Sequence, residues 1–148
     1  MSLENGVYYI QNRKQYIGNS GEEPPNAQRV IVLPDGVQAP KWFVQKLGDD
    51  IYIIRVEEPD GSNGLAVRID DKVFVRPEKP EPDAWRIIPD ERGGKDSYII
   101  VTAEDLTKGW VAPEEPEDQI VCQTLKVGRS FPPFYPPNET FQFSPADN

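Results

Sequence analysis

The 148-residue chain contains no histidine, a single cysteine and a single methionine. Without imidazole there is no Ser/His/Asp or Cys/His arrangement for nucleophilic catalysis, no histidine ligand for zinc and no general base titrating near neutrality. One cysteine, Cys122, makes neither an internal disulfide nor a CxxC redox or metal site. It stands in the apolar run Ile120-Val121-Cys122, where a small buried hydrophobe is expected. Long apolar runs are also missing. No stretch has the length of a secretory core or a membrane span, and the start Met1-Ser2-Leu3-Glu4-Asn5-Gly6 has no basic segment, so a cytoplasmic protein without a signal peptide is expected. Basic residues are few: 16 Lys and Arg against 25 Asp and Glu leave a formal charge of −9. Such a surface repels phosphate backbones and anionic lipid, so neither nucleic acid nor membrane is an expected partner.

Phosphate-cradling glycine patterns are absent, and no cofactor is expected. Asp60-Gly61-Ser62-Asn63-Gly64 begins like a calcium loop but lacks the later acceptors and closing glutamate, so no metal site is expected. The doublets Glu22-Glu23, Glu57-Glu58, Asp70-Asp71 and Glu114-Glu115 lie beside turn residues, where solvated charge is normal. Composition alone leaves a paired-carboxylate glycosidase open, but these doublets do not argue for one.

What the chain does have is repetition. Val7-Tyr8-Tyr9-Ile10 returns as Ile51-Tyr52-Ile53-Ile54 and as Ser97-Tyr98-Ile99-Ile100, with tyrosine steps of 44 (8 to 52) and 46 (52 to 98) residues. Each unit closes on an aromatic strand: Trp42-Phe43-Val44, Trp85-Arg86-Ile87-Ile88 and Phe141-Gln142-Phe143. Between these lie β-branched and aromatic runs punctuated by 16 Pro and 11 Gly, an all-β pattern. Helical periodicity is missing, and Thr102 to Lys108 makes one or two turns at most. Strands are read at Val7–Gln11, Gln15–Gly18, Arg29–Leu33 and Lys41–Gln45 in the first unit. The second has Ile51–Val56, Leu65–Ile69, Lys72–Arg76 and Trp85–Ile88, and the third Ser97–Thr102, Gly109–Ala112, Gln119–Leu125 and Thr140–Phe143. Twelve strands in three groups of four predict one β-trefoil domain over 1–148, with pseudo-repeats at about 6–46, 50–89 and 96–144. Function then falls to the loops, and two exceed what a turn requires: Gly18 to Gln28 and Lys126 to Asn138.

Three stretches carry a family resemblance: Ser2-Leu3-Glu4-Asn5-Gly6-Val7-Tyr8-Tyr9-Ile10-Gln11-Asn12, then Ser97-Tyr98-Ile99-Ile100 with Lys108-Gly109-Trp110-Val111-Ala112-Pro113, then Gln119-Ile120-Val121 through Val127-Gly128. Over nearly its whole length the chain resembles the fungal β-trefoil serine protease inhibitors of the cospin and cnispin type. That resemblance implies a small, disulfide-free, monomeric inhibitor and not an enzyme. It would block trypsin-like proteases reversibly by inserting one exposed loop in substrate-like form, and it implies two loops for that role.

The loop Gly18 to Gln28 contains no Arg or Lys for a trypsin-like pocket. Asn19-Ser20 or Asn26 there, or Asn63 in the second unit, could serve a legumain-like, asparagine-specific cysteine protease instead. The loop between the last two strands reads Gly128-Arg129-Ser130-Phe131-Pro132-Pro133-Phe134. Arg129-Ser130 fits a trypsin-cleavable bond, Gly128 permits close approach of backbone, the prolines stiffen the loop, and Phe131 and Phe134 offer apolar contact. Arg129 is therefore the first choice of reactive residue; its alternative is an ordinary exposed loop arginine. Arg13 and Lys14 form a short basic turn that projects poorly. A sugar-binding trefoil is the reading from another class. The Gln-x-Trp signature of ricin-like lectins is absent from all three units, which leaves an exposed Trp110 or Tyr135 to stack on a sugar ring.

Overall fold

Alternating apolar side chains produce twelve strands, and those strands close on themselves. The computed structural model describes residues 3–19, 28–57, 63–77, 83–90, 93, 94, 96–128 and 134–146. The first group is β1 (Gly6–Asn12), β2 (Gln15–Asn19), β3 (Gln28–Val32) and β4 (Trp42–Gly48). The second is β5 (Ile51–Glu57), β6 (Asn63–Ile69), β7 (Lys72–Pro77) and β8 (Trp85–Pro89). The third is β9 (Ser97–Thr102), β10 (Lys108–Val111), β11 (Val121–Thr124) and β12 (Phe141–Pro145). The outer strands of each group pair antiparallel in a circuit, β1 to β4, β5, β8, β9, β12 and back to β1, which makes a closed barrel. The inner strands form the pairs β2–β3, β6–β7 and β10–β11, joined to one another through β3–β7 and β7–β11. Closure leaves few strand edges to be protected.

The aromatic pattern of the sequence has a direct structural meaning. Tyr8 lies opposite Trp42, Tyr52 opposite Trp85, and Tyr98 opposite Phe141. Trp42 and Trp85 are fully buried, and each donates its indole N–H to a backbone carbonyl at 2.9 Å, of Ile17 and Ala66 respectively. Three residues after each tyrosine, Gln11, Arg55 and Val101 pair with Tyr16, Leu65 and Gly109. The next residues, Ile17, Ala66 and Trp110, are therefore counterparts.

In the third unit the large ring has changed strand: Phe141 stands at the tryptophan position and Trp110 where the others have Ile17 and Ala66. Trp110 is 0% exposed and meets Trp85, Phe141 and Trp42 edge-on, with ring centroids 5.6, 5.9 and 6.4 Å apart. Such contacts favour aromatic clusters beyond the area they bury. Trp110 is thus the centre of the core, which corrects the expectation that it is exposed. Among the described residues its Nε1 finds no acceptor.

Gly109 is what lets Trp110 sit so deep. A Cβ at residue 109 would stand 2.4 Å from the Ile100 carbonyl oxygen and 2.9 Å from Val101 Cγ1. Because the first of these atoms is backbone in β9, it cannot swing aside. Gly109→Ala is expected to lower stability by about 1–3 kcal/mol, the usual range for overpacking. The check is urea unfolding: the midpoint falls while the slope is unchanged.

No helix forms at 102–108. Instead Asp105 N–H donates to Thr102 Oγ1 at 2.9 Å and Thr102 Oγ1–H returns a bond to the Asp105 carbonyl at 2.7 Å, which turns the chain into β10. β11 is shorter than expected, ending at Thr124, so Lys126 lies outside any strand. Two tight hairpins place non-glycine residues at positive φ: Arg13 (49°) with Lys14 (69°), and Asp70 (50°) with Asp71 (63°). Both central residues of such a turn need that conformation, which Asn-Gly adopts more readily.

Candidate functional site

Between β11 and β12, polar bonds fasten the described residues on both limbs of the connection, 125–128 and 134–140. On the outgoing limb Leu125 is buried and its N–H donates to the Thr107 carbonyl at 2.8 Å. Lys126 N–H donates to Glu139 Oε2 at 2.6 Å. Gly128 N–H then donates to the Phe134 carbonyl at 2.6 Å, and the two residues form an isolated antiparallel bridge. A Cβ at Gly128 would stand 3.0 Å from Phe134 Cβ, so the missing side chain permits this rung. Val127 and Phe134, 49% and 50% exposed, flank the bridge as two apolar side chains open to solvent.

The returning limb is held from beneath. Tyr135 packs on the small cluster of Ile99, Val101, Val111 and Leu125. Residues Pro137–Glu139 make a 3-10 turn, and the Asn138 carbonyl accepts the Ala112 N–H at 2.8 Å. Buried Asn12 in β1 donates through Nδ2 to the carbonyls of Pro137 (2.9 Å) and Thr140 (2.8 Å). Arg13 Nε–H donates to Asn12 Oδ1 at 2.8 Å, which orients the amide, and Nη2 donates to the Pro113 carbonyl at 2.9 Å. Arg13 is therefore engaged in the scaffold.

Of the residues expected in the reactive loop, Gly128 is placed as the lower rung, while Arg129, Ser130 and Phe131 lie outside the described residues. Among the asparagine alternatives, Asn19 is the last residue of β2, and its Nδ2 donates to Gln28 Oε1 at 2.5 Å across the β2–β3 hairpin. Asn63 is the first residue of β6, paired with Glu57 rather than set in a turn. Ser20 and Asn26 lie outside the described residues.

Burial governs the chemistry of the remaining groups. Cys122 is fully buried, as expected, and desolvation pushes its thiol up to about 11. Since the thiolate is the reactive form, the native protein is expected to resist a disulfide reagent at pH 8 and to react stoichiometrically once denatured. Absorbance of the released thiol checks this. Among the described residues no three His, Cys, Asp or Glu side chains converge as a metal site. An open depression of about 370 Å³ is lined by Arg68, Asp83, Trp85, Thr102 and Glu104. Trp85 is buried there and Trp110 is buried elsewhere, so neither offers a sugar a stacking face.

Glu139 is the functional candidate that sequence reading missed. It is 2% exposed, and burial raises its carboxyl, opposed by the Lys126 N–H and charge. Its setting in Asn138-Glu139-Thr140, among loop residues, gave no sign of burial.

Comparison with known proteins agrees with this scaffold. A serine protease inhibitor of Lentinula edodes is 34% identical over 146 residues, covering 95% of this chain and 96% of that protein. The solved structure of a proteinase inhibitor from Coprinopsis cinerea superposes with a TM-score of 0.82 at 25% identity, covering 98% of this chain and 100% of that one. The Rhizoctonia solani agglutinin, at 14% identity and a TM-score of 0.65 over 99% of both chains, shares the fold alone. The family model for peptidase inhibitor I66 matches residues 1–145, so the chain belongs to the peptidase inhibitor I66 family and is an inhibitor rather than an enzyme.

Proposed function

We propose that this chain is a monomeric β-trefoil that inhibits trypsin-like serine proteases reversibly, through a substrate-like loop containing Arg129. Arg129 would fill the acidic specificity pocket, the Arg129-Ser130 bond would lie at the catalytic serine, and Phe131 and Phe134 would add apolar contact. The observation that carries this reading is the bond from Gly128 N–H to the Phe134 carbonyl, which pins the two sides of the segment to each other. A protease that cuts between pinned ends gains little from cleavage, because the new termini are held in place instead of leaving. Preorganisation of this kind also lowers the entropic cost of binding. The L. edodes relative, named a serine protease inhibitor, supports the same class of target. An interface of ordinary size would bury about 800 Å² on each partner.

The test is a tight-binding titration of trypsin activity, with legumain as the asparagine-specific control. Stoichiometric loss of trypsin activity supports the reading. Inhibition of legumain alone would move the site to an asparagine loop, through Asn26 or Asn63 before the side-chain-bonded Asn19.

A further inference from the structure

A second depression of about 370 Å³ lies in the first unit, lined by Lys14, by the first two residues of β2, Gln15 and Tyr16, and by residues 33–38 beyond β3. Its walls are fixed by the backbone. Leu33 N–H donates to the Tyr16 carbonyl at 2.9 Å, which joins the two segments, and Val37 N–H donates to the Pro34 carbonyl at 3.3 Å, closing a turn with Gly36 at φ 89°. The turn that carries Lys14 is held by the Arg13 bonds to Asn12 and Pro113. A site formed in advance loses little binding free energy to ordering. Its apolar part comes from buried Leu33 and from Tyr16 and Val37, which are 39% and 48% exposed. Single exposed apolar residues are ordinary on a surface, but here two share one concave site. The Tyr16 ring is held edge-on to Tyr9, with centroids 5.8 Å apart.

The polar groups narrow the ligand. Asp35 only accepts hydrogen bonds, Lys14 only donates them, and Gln15 and Gln38 do both. An anion calls for donors alone and a cation for acceptors alone, whereas a hydroxyl donates and accepts at once. The charges of Lys14 and Asp35 cancel, which favours a neutral ligand over either ion. A pyranose ring meets both requirements: one face of C–H bonds lies flat on an aromatic ring, and the hydroxyls around its edge take mixed donors and acceptors. The volume falls at the small end of the range for ligand pockets, about 300–1,000 Å³. We propose that this depression is a binding site for neutral carbohydrate, with Tyr16 as the stacking platform and Lys14, Gln15, Asp35 and Gln38 as the hydrogen-bonding groups. The site shares no residue with the loop that carries Arg129 and does not depend on the reading of that loop.

The experiment titrates the nitrogen-15-labelled chain with uncharged trisaccharides of glucose, galactose, mannose and N-acetylglucosamine, and with a sulfated disaccharide as the anionic control, following backbone amides by NMR. At least one uncharged probe is expected to bind saturably with a Kd of about 1 mM or tighter, shifting the amides of Gln15, Tyr16, Gly36 and Val37. Tyr16→Ala is expected to weaken that probe by about tenfold or more, whereas Tyr16→Phe stays within about threefold because the ring remains. The same spectra report whether each variant is folded. Were Tyr16→Ala not to fold, Asp35→Ala, at an exposed turn position, is expected to weaken the probe by about tenfold through its lost acceptor. Inhibition of trypsin by Tyr16→Ala is expected to match the wild type. The proposal is overturned if no uncharged probe shifts these amides, if the shifts fall elsewhere on the protein, or if a folded Tyr16→Ala binds as the wild type does. Tighter binding of the sulfated probe than of every uncharged one also overturns it. So does loss of trypsin inhibition in Tyr16→Ala without any saccharide binding by the wild type, which would assign the depression to contact with a protease.

Discussion

Arg129→Glu is expected to abolish inhibition of trypsin while leaving the fold intact. Truncating a central anchor of a protease interface costs at least about 2 kcal/mol, or roughly thirtyfold in affinity. Charge reversal adds to that loss, because it brings a carboxylate to a pocket whose floor is itself acidic, and like charges in a desolvated interface cost several kcal/mol more. The formal charge would move from −9 to about −11, a change that also slows association with a cationic enzyme at low salt. The readout is the trypsin titration curve beside an unchanged thermal midpoint. Retained stoichiometric inhibition would remove Arg129 from the site. Asn19→Ala is the informative companion: the Asn19 amide is bonded to Gln28 across its own hairpin, so its loss should leave trypsin inhibition where it was.

The largest expected effect on stability belongs to Trp110→Ala. Emptying a site bounded by Trp42, Trp85 and Phe141 leaves a cavity that the closed barrel cannot collapse to fill, and such truncations cost about 3–5 kcal/mol. Against a typical total of about 5–15 kcal/mol this is about a fifth of the stability or more. A fall in thermal midpoint of about 10 °C or more is expected, measured by near-UV circular dichroism. Trp110→Phe should be much milder, since it keeps an edge-on ring and deletes an N–H that has no acceptor among the described residues. A loss below about 1 kcal/mol for the alanine variant would mean that the core is not organised around this ring.

The fold was legible because its strongest signal is one that β structure enforces. Tyrosine and tryptophan recur at fixed distances where paired strands set them opposite each other, and each of the twelve strands overlaps its expected position, with β4 running three residues further and β11 three shorter. Trp110 was not legible as core. Its counterparts are an isoleucine and an alanine, so no match of residue types reveals the equivalence, which emerges only from pairing register. At 102–108, where at most a turn or two of helix was expected, the Thr102 hydroxyl bonds both the N–H and the carbonyl of Asp105 and so competes with helix. At the candidate site, glycine and proline marked the loop from composition alone, whereas its supports did not show. Asn12 is held by carbonyls 125 and 128 positions away, a contact that no local pattern reveals, and Glu139 is buried in a turn whose residue types give no sign of it.

The pairing of β1 with β12 also governs when this protein can exist at all. Tyr8 to Gln11 lie against Pro145 to Gln142, and Asn12 reaches partners 125 and 128 positions away. A chain emerging from the ribosome exposes its first strand long before the twelfth has been made, and the pocket for Asn12 is completed only at the same late moment. Such non-local pairing makes folding slow. The barrel therefore closes only after synthesis, and until then the carbonyls of Pro137 and Thr140 have no Asn12 amide to hold them.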